Sequence, residues 1–507
     1  MSEIELKFGV DPECVAIIDA ALRRLPSRRI SIESRYFDSD GFDLARAGLS
    51  LRLRRTGQVW EQTLKAPTGS FAERLEETIP RPGRWGRVGP ALDAALHDGT
   101  AAGKLLSAAR NTAEAPAALR LVFTSVIVRR SVEIAALGAR VEAAFDRGEI
   151  RAVAASTPVC ELEYELKQGD VGALVEFGRA GVREHGLWLS TLSKAARGDL
   201  LVRGDVHAPA GKARAPRLDR TLSGPAIFHA VLEACLDQVL ANASTVAEGH
   251  RDAEAIHQLR VGLRRMRTCW GELGALSGHA GLQWPAALTA AFRSLGDYRD
   301  RTTVGASLQA RLSAAGSPEP TLRAPNATAD PVDVVRGKDF QCALLDALAL
   351  TLAAPAHGGD GSARVEGGAG ESGVLAEIGS HLDKLHASLK RAAKRFERSS
   401  PELQHRTRKR LKRLRYLAEL VATLYKPARV ERYLDALRPA QDALGAHIDL
   451  VVGLRMAHDA ALGGDAAAWF NVGWLTAQLD ASASGCGKAL LHAARAKPFW
   501  KRQVRIP

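Results

Sequence analysis

The stretch Glu3-Ile4-Glu5-Leu6-Lys7-Phe8 decides how the first two hundred residues are read. In an extended strand, successive side chains point to opposite faces, so Glu3, Glu5 and Lys7 share one face and Ile4, Leu6 and Phe8 the other. The same division recurs downstream. Arg52 and Arg54 oppose Leu51 and Leu53; Glu61, Thr63 and Lys65 oppose Trp60, Gln62 and Leu64; Arg74, Glu76 and Thr78 oppose Leu75 and Ile79. Glu142 and Asp146 oppose Val141, Ala143 and Phe145, while Glu161, Glu163, Glu165 and Lys167 oppose Leu162, Tyr164 and Leu166. A single strand of this kind is ordinarily a surface strand with its charges in water. Six of them, most carrying both signs on the charged face, imply either a fully solvated sheet face or a sheet curled until the charged faces converge. We expect the second: a closed antiparallel β-barrel of about eight strands with flanking helices, polar inside and apolar outside.

A lining of Arg, Lys, Glu and Asp suits a phosphate chain. Guanidinium and ammonium groups bind phosphoryl oxygens through charge-assisted hydrogen bonds. Carboxylates repel phosphate and can face it only across a divalent cation, and Mg²⁺ takes oxygen ligands from both. The acidic half of the lining is therefore the informative half, because a plain anion site has no use for it.

From about residue 221 the texture changes to Ala/Leu/Arg-rich helical periodicity, after a Pro- and Gly-containing linker around 206–217. Loops are expected at 313–331 and 354–373. The helical half repeats itself. His257, Arg260, Arg264 and Arg267 recur as His405, Arg408, Lys412 and Arg415 at identical spacing, and Leu295–Asp300 is echoed by Leu444–Asp449. His257 to His405 and Leu295 to Leu444 are offset by 148 and 149 residues, which implies two homologous helical bundles. The expected organisation is α+β and multidomain: a barrel domain at 1–203, a linker at 204–220, and an all-α domain at 221–500 with repeats near 221–352 and 374–500. Positions i, i+3, i+7 and i+10 share one helix face, so each motif forms a basic stripe about 15 Å long. A solvated face explains one such stripe, and explains Arg265, Arg406, Arg410 and Arg413. Two stripes at the same spacing instead suggest a groove for a linear polyanion.

Bulk properties agree. The chain has 507 residues, a net charge of +13 and a pI near 9.7, which favours a polyanionic partner. Aromatic residues are only 5%, which argues against single-stranded nucleic acid, since base stacking needs rings. The six cysteines are scattered with no CxxC pair, arguing against a zinc site and a disulfide framework and fitting a reducing cytoplasm. The N-terminus shows no signal-peptide pattern, and the longest apolar stretch, near 343–356, is short and carries Asp346, so no membrane span is expected.

The N-terminal motifs resemble, in order, those of the CYTH superfamily of triphosphate tunnel metalloenzymes. They are Glu3-x-Glu5-x-Lys7, Arg35-Tyr36-Phe37-Asp38, Leu51-Arg52-Leu53-Arg54, Thr63-Leu64-Lys65, Arg74-x-Glu76, Arg129, Asp146-x-Gly148, Glu161-x-Glu163-x-Glu165 and Ser193-Lys194-x-x-Arg197-Gly198. The resemblance implies that Lys7, Arg52, Arg54, Lys65, Arg74, Arg129 and Lys194 hold a phosphate chain. It implies that Glu3, Glu5, Asp146 and two or three of Glu161, Glu163 and Glu165 hold Mg²⁺ or Mn²⁺, with Glu3, Glu5, Lys7, Glu161 and Glu163 catalytic. For Asp146-Arg147-Gly148 a plain turn competes with metal ligation, and Arg35 and Arg197 are read as surface ion pairs.

The stretches His257–Arg267 and His405–Tyr416 resemble the two motifs of the CHAD domain, a helical family linked to inorganic polyphosphate. That implies polyphosphate binding by His257, Arg260, Arg264, Arg267, His405, Arg408, Lys412 and Arg415. Arg299-Asp300 is followed by Arg301-Thr302-Thr303, where that family often carries more acidic residues. The combined expectation is a cytoplasmic, metal-dependent hydrolase of inorganic triphosphate or short polyphosphate, in association with polyphosphate granules. The rival readings are a catalytically idle granule protein, a tunnel enzyme for an organic triphosphate (thiamine triphosphatase or adenylyl cyclase), and a nucleic-acid-binding protein.

Overall fold

The computed structural model describes residues 2–501 apart from 68–72, 84, 87, 112–117, 280, 319–321, 323–328 and 353–370. The side chains of Glu3 and Arg74, and most of the loop expected at 354–373, lie outside the described residues. The architecture is α+β: an N-terminal antiparallel sheet and a helical C-terminal region.

The strands are β1 (Ser2–Gly9), β2 (Arg28–Asp38), β3 (Ser50–Thr56), β4 (Val59–Pro67), β5 (Glu73–Pro80), β6 (Arg120–Ala136), β7 (Ala139–Arg151), β8 (Ser156–Gln168) and β9 (Trp188–Leu189). Their order in the sheet is β5-β4-β3-β2-β6-β7-β8-β1-β9. β1 serves two partners, pairing with β8 through Glu5–Gly9 and with β5 through Ser2–Ile4. The expectation of about eight strands sealed into a cylinder is corrected accordingly. Among the described residues the sheet has nine strands, the last a two-residue strand beside β1, and the link from β1 to β5 is confined to that short seam.

The longer helices are α1 (Val15–Arg23), α2 (Ala101–Arg110), α3 (Val171–His185), α4 (Lys194–Arg203), α5 (Gly224–Ala247), α6 (Ala253–Leu273), α7 (Ala286–Arg299), α8 (Gly305–Ala314), α9 (Lys338–Leu352), α10 (Glu371–Ala393), α11 (Pro401–Leu420), α12 (Pro427–Leu462) and α13 (Ala468–Ala493). The residues divide into two compact units. One holds Met1–Ala210 together with Leu240–His250 and Val335–Ala353; the other holds Gly211–Val239, Arg251–Val334 and Ala354–Pro507.

In the sheet's unit, alternation places Leu6, Phe8, Val141, Leu162 and Tyr164 in the core. Phe8 meets Tyr164 edge-on at 5.8 Å, and Tyr164 meets Phe177 of α3. At Glu161–Tyr164 four consecutive residues are buried, so both faces of β8 are covered there. Asp146-Arg147-Gly148 is not a turn, because β7 runs straight through it. Glycine at 148 is required by proximity: a Cβ there would lie 2.0 Å from the Val126 carbonyl oxygen on β6. An apolar cluster of Ile32, Tyr36, Phe123, Ile127, Ile150 and Val159 packs against Ala195 and Leu201 of α4. Ser193 caps α4, accepting from the Ala196 N–H at 3.1 Å, and Gly204 ends it in the left-handed conformation.

In the helical unit, Asp252 caps α6 by accepting the Ala255 N–H at 2.6 Å. The α6 and α11 helices meet where Arg264 donates to the Tyr416 hydroxyl at 3.3 Å. A second core joins Leu308 and Leu312 of α8 to Leu450, Met456 and Leu475 of α12 and α13. After α7 the chain winds through a π-helical segment at Asp300–Val304.

Gly198 on α4 lets the helix sit against the Phe123 ring, whose nearest carbon would be 2.1 Å from an added Cβ. Gly198→Val should therefore push α4 off the sheet and destabilise the protein by about 1–3 kcal/mol. Thermal unfolding of the full chain measures this, and an unchanged melting temperature would contradict the packing described.

Candidate functional site

Register assembles the site. Across β1, β8 and β7 the inward residues form rungs: Glu5–Glu165–Glu142, then Lys7–Glu163–Ala144, then Gly9–Glu161–Asp146. Arg129 on β6 lies opposite Asp146 and completes the third rung. Across β2, β3 and β4 the facing rungs carry Tyr36–Arg52–Thr63 and Ser50–Lys65, with Glu76 on β5 beside Lys65. One wall is thus mainly acidic and the other mainly basic. They border a cavity of about 150 Å³ lined by both sets, together with Ser193 and Lys194 from the start of α4.

Asp146, Glu161 and Glu163 each offer an oxygen, all within 4.8 Å of one another. Asp146 and Glu161 are fully buried and Glu163 is 8% exposed. Three cations crowd them. Arg129 grips Asp146 with two bonds of 2.7 Å and reaches Glu163 at 2.5 Å. Lys194 contacts Glu161, Asp146 at 2.6 Å and Glu163 at 3.2 Å, and Lys7 lies 3.0 Å from Glu163. Burial alone would push the Glu163 carboxyl up, but Lys194, Lys7 and Arg129 outweigh it and hold it well below the usual carboxylate range. Asp146 is lowered for the same reason, burial being overcome by Lys194 and Arg129. In return, burial would lower Lys7 and Lys194, and the carboxylates raise both. Asp146 and Glu163 are therefore ionised, and the buried Glu161 Oε2 has no hydrogen-bond partner. Carboxylate oxygens at this spacing, one of them unsatisfied, fit a hard divalent cation.

The basic wall is less satisfied. Arg52 Nε and Nη2 and Arg54 Nε are buried without hydrogen-bond partners. Arg52 has Glu76 at 3.8 Å and the Tyr36 hydroxyl at 3.5 Å. Burial, then the charge of Arg52, brings Arg54 down to about 10. Lys65 is ion-paired with Glu76, whose carboxyl falls to about 2 as Lys65 and the two arginines overcome its burial.

In the helical unit the two stripes meet as a cluster of cations. Burial, followed by Arg264, Arg408, Arg299 and Arg260, drives the Lys412 ammonium down to about 6. Burial and Arg264 lower Arg260 to about 10, and burial and Arg264 also lower Arg408. His257 and His405 at the margin are lowered by burial, then by Arg299 and by Lys409 respectively. Arg260 and Arg264 stack on the Phe292 ring at 4.4 and 5.2 Å. Two further members of the stripes have other neighbours: Arg415 pairs with Glu419 at 2.7 Å, and Arg267 lies near Arg413.

Within the metal set expected from sequence, Asp146, Glu161 and Glu163 come together, while Glu5 and Glu165 lie along the cavity outside that triad, Glu165 being paired with Lys167 at 2.6 Å. Arg35 forms an ion pair with Glu33 at 2.9 Å, as expected. Arg197 does not behave as a surface residue: it holds Glu248 at 3.1 Å and lies 3.8 Å from Glu161. The reading missed Tyr36, Glu76, Glu142, Arg299, Asp300 and Asp449 as site residues. Glu76 and Glu142 carried the signal of inward parity, and Arg299 and Asp449 belonged to the repeated motif without basic spacing to mark them.

Comparison with known proteins agrees with this division. Residues 1–198 match the CYTH domain and residues 230–458 the CHAD domain, so the chain carries a CYTH domain followed by a CHAD domain. An inorganic triphosphatase of Haemophilus influenzae is 26% identical over 208 residues, 40% of this chain and 55% of that protein; the chain spans about half the length of this curated relative. Among solved structures, the CHAD domain of the plant Ricinus communis is similar at 29% identity, covering 58% of this chain and 98% of that one with a TM-score of 0.44. A Hippeastrum protein described as an adenylyl cyclase with a dominant triphosphatase activity shows 16% identity, covering 40% and 97% of the two chains with a TM-score of 0.30.

The crowding around Lys412 is a cost that the free protein bears. Lys412→Met keeps the bulk and removes the repulsion, so it should stabilise the protein by about 1 kcal/mol and raise its melting temperature. A lower melting temperature would show that the charge is compensated.

Proposed function

We propose that this chain hydrolyses inorganic triphosphate, or the end of a short polyphosphate, at the cavity between the acidic and basic walls, and that its helical region binds polyphosphate. The observation that carries the reading is the division of charge: unsatisfied buried guanidiniums of Arg52 and Arg54 share one small space with the carboxylates of Glu5, Glu142, Glu163 and Glu165, and Glu163 belongs to the buried triad. On this reading the curled sheet presents its acidic and basic walls to that space, with the functional domains at 1–203 and 221–500 and two repeats in the second.

Arg52, Arg54 and Lys65 hold the phosphate chain from the basic side, Arg52 and Arg54 donating the N–H groups that now lack acceptors, while the expected role of Arg74 falls on a side chain outside the described residues. Lys7, Arg129 and Lys194 neutralise the acidic side and are close enough to the cavity to meet phosphoryl oxygens. Asp146, Glu161 and Glu163 would hold Mg²⁺ or Mn²⁺, with Glu5 and Glu165 along the same wall; the expected role of Glu3 falls on a side chain outside the described residues. When bound, the cation neutralises charge between phosphoryl oxygens and carboxylates and favours loss of the terminal phosphoryl group. A carboxylate of the Glu161–Glu165 set accepts a hydrogen bond from the attacking water and orients it. Phosphoryl transfer asks mainly for positioning and charge neutralisation, which is what this lining supplies. Tyr36 is the lone aromatic among the residues lining the cavity, which offers no second ring to sandwich adenine or thiazole and supports an inorganic substrate.

The cation cluster of α6 and α11 is the polyphosphate site on this reading, built from Arg260, Arg264, Arg408 and Lys412 with His257 and His405 at its margin. Arg267 and Arg415 extend it less directly than the sequence suggested. No helix among the described residues is long and apolar enough to cross a membrane.

Two measurements test this. Glu5→Gln and Glu163→Gln should each reduce Mg²⁺-dependent phosphate release from tripolyphosphate by about 10- to 100-fold; unchanged release in both would mean an idle tunnel. Second, a polyanion beside Lys412 raises its pKa from about 6, so at pH 7.5 binding should draw in a proton. Calorimetry of polyphosphate binding in buffers of different ionisation enthalpy should show that uptake, and Lys412→Met should abolish it. Duplex DNA binding more tightly at matched salt would overturn the ligand assignment.

A further inference from the structure

Arg197 stands one turn along α4 from Lys194, and its guanidinium faces two carboxylates. One is Glu161 of the buried triad, 3.8 Å from Nη2. The other is Glu248, 3.1 Å from the same nitrogen and just beyond the end of α5. Ser190 adds a third contact: its hydroxyl lies 3.4 Å from Arg197 Nη2 and 3.3 Å from Glu248 Oε1. The Glu161 oxygen nearest Arg197, Oε2, is buried and makes no hydrogen bond. Arg197 is thus held at a distance where it polarises that oxygen without capping it.

The anchorage is specific. The Ser244 hydroxyl, on the last turns of α5, accepts the Thr191 N–H at 3.1 Å. Gln341 of α9 accepts the Leu189 N–H at 2.9 Å, and Arg336 bonds the Ala247 carbonyl at 2.7 Å while stacking on Trp188 at 3.9 Å. These groups clamp the short segment from β9 to α4, whose continuation is Ser193 and Lys194. All the clamping residues lie beyond residue 198, where the CYTH match ends.

We infer that Glu248 is a positioning residue for the cation site of the sheet: it holds Arg197 off Glu161 and so leaves Glu161 Oε2 open to a divalent ion. This rests on the proposed reading of the triad as that site. Without the Glu248 charge, Arg197 turns to Glu161, the other carboxylate it pairs with among the described residues, and a positive group competes for the oxygen the ion would use.

The test reads ion binding directly in the full chain without substrate, by the electron paramagnetic resonance signal of free Mn²⁺. Glu248→Gln should weaken Mn²⁺ binding by about tenfold. Glu248→Asp should recover part of the loss. In an Arg197→Gln background the further change Glu248→Gln should have no effect, whereas a merely structural role for Glu248 would weaken the protein equally in both backgrounds, as read by thermal unfolding. Equal Mn²⁺ binding by the unaltered chain and Glu248→Gln, or no binding by either, would overturn the inference. Intact Mn²⁺ effects alongside a lack of phosphate release from tripolyphosphate would instead sink the proposed reaction and leave the role of Glu248 standing.

Discussion

The N-terminal structure depends on one electrostatic constraint: ionised carboxylates and cations that are buried together must neutralise one another. Asp146, Glu161 and Glu163 come from two neighbouring strands, and their burial is tolerable only because Lys7, Arg129 and Lys194 arrive from three other elements. That requirement ties the register of β1, β8, β7 and β6 to the placement of α4. A one-residue slip in any of these strands would turn its charges toward the apolar side and strand the others. The same arrangement keeps Asp146 and Glu163 ionised without a ligand.

Much of this was legible in the sequence because strand parity is a rigid rule. The alternation in 3–8 and 159–167 assigned Lys7 and Glu163 to the inward face correctly, and the pairing bears this out. Parity says nothing about depth, so it could not separate Glu163, in the buried triad, from Glu165, which lies two residues on and takes Lys167 as partner. Nor could it tell a strand from a turn at Asp146-Arg147-Gly148, where the glycine is needed for close approach of β6 rather than for a reversal. Arg197 was misjudged because its carboxylate partner, Glu248, lies fifty-one residues away, just past the end of a helix that follows the linker.

The helical region follows the opposite logic. There the cations outnumber the carboxylates beside them, Asp300 and Asp449, and burial beside Arg264 and Arg408 leaves Lys412 able to lose its proton near neutrality. Helical spacing found the stripe, because i, i+3 and i+7 is a geometric statement about one face. At the end of the second stripe, Arg415 pairs with Glu419, its own neighbour one turn along. Arg299 escaped because it sits at the last turn of α7, just before the π-helical segment, outside either stripe.

The short strand β9 and the turn after it take their hydrogen-bond partners from residues numbered in the two-forties and three-forties. The catalytic-looking half is therefore not a detachable module. Excised at the linker, it would carry backbone donors at Leu189 and Thr191 with nothing to receive them and the indole of Trp188 stripped of its cover. Shuffling of this half between proteins would have to carry the two helical inserts with it, so sequence drift in the tail is constrained by the architecture of the head.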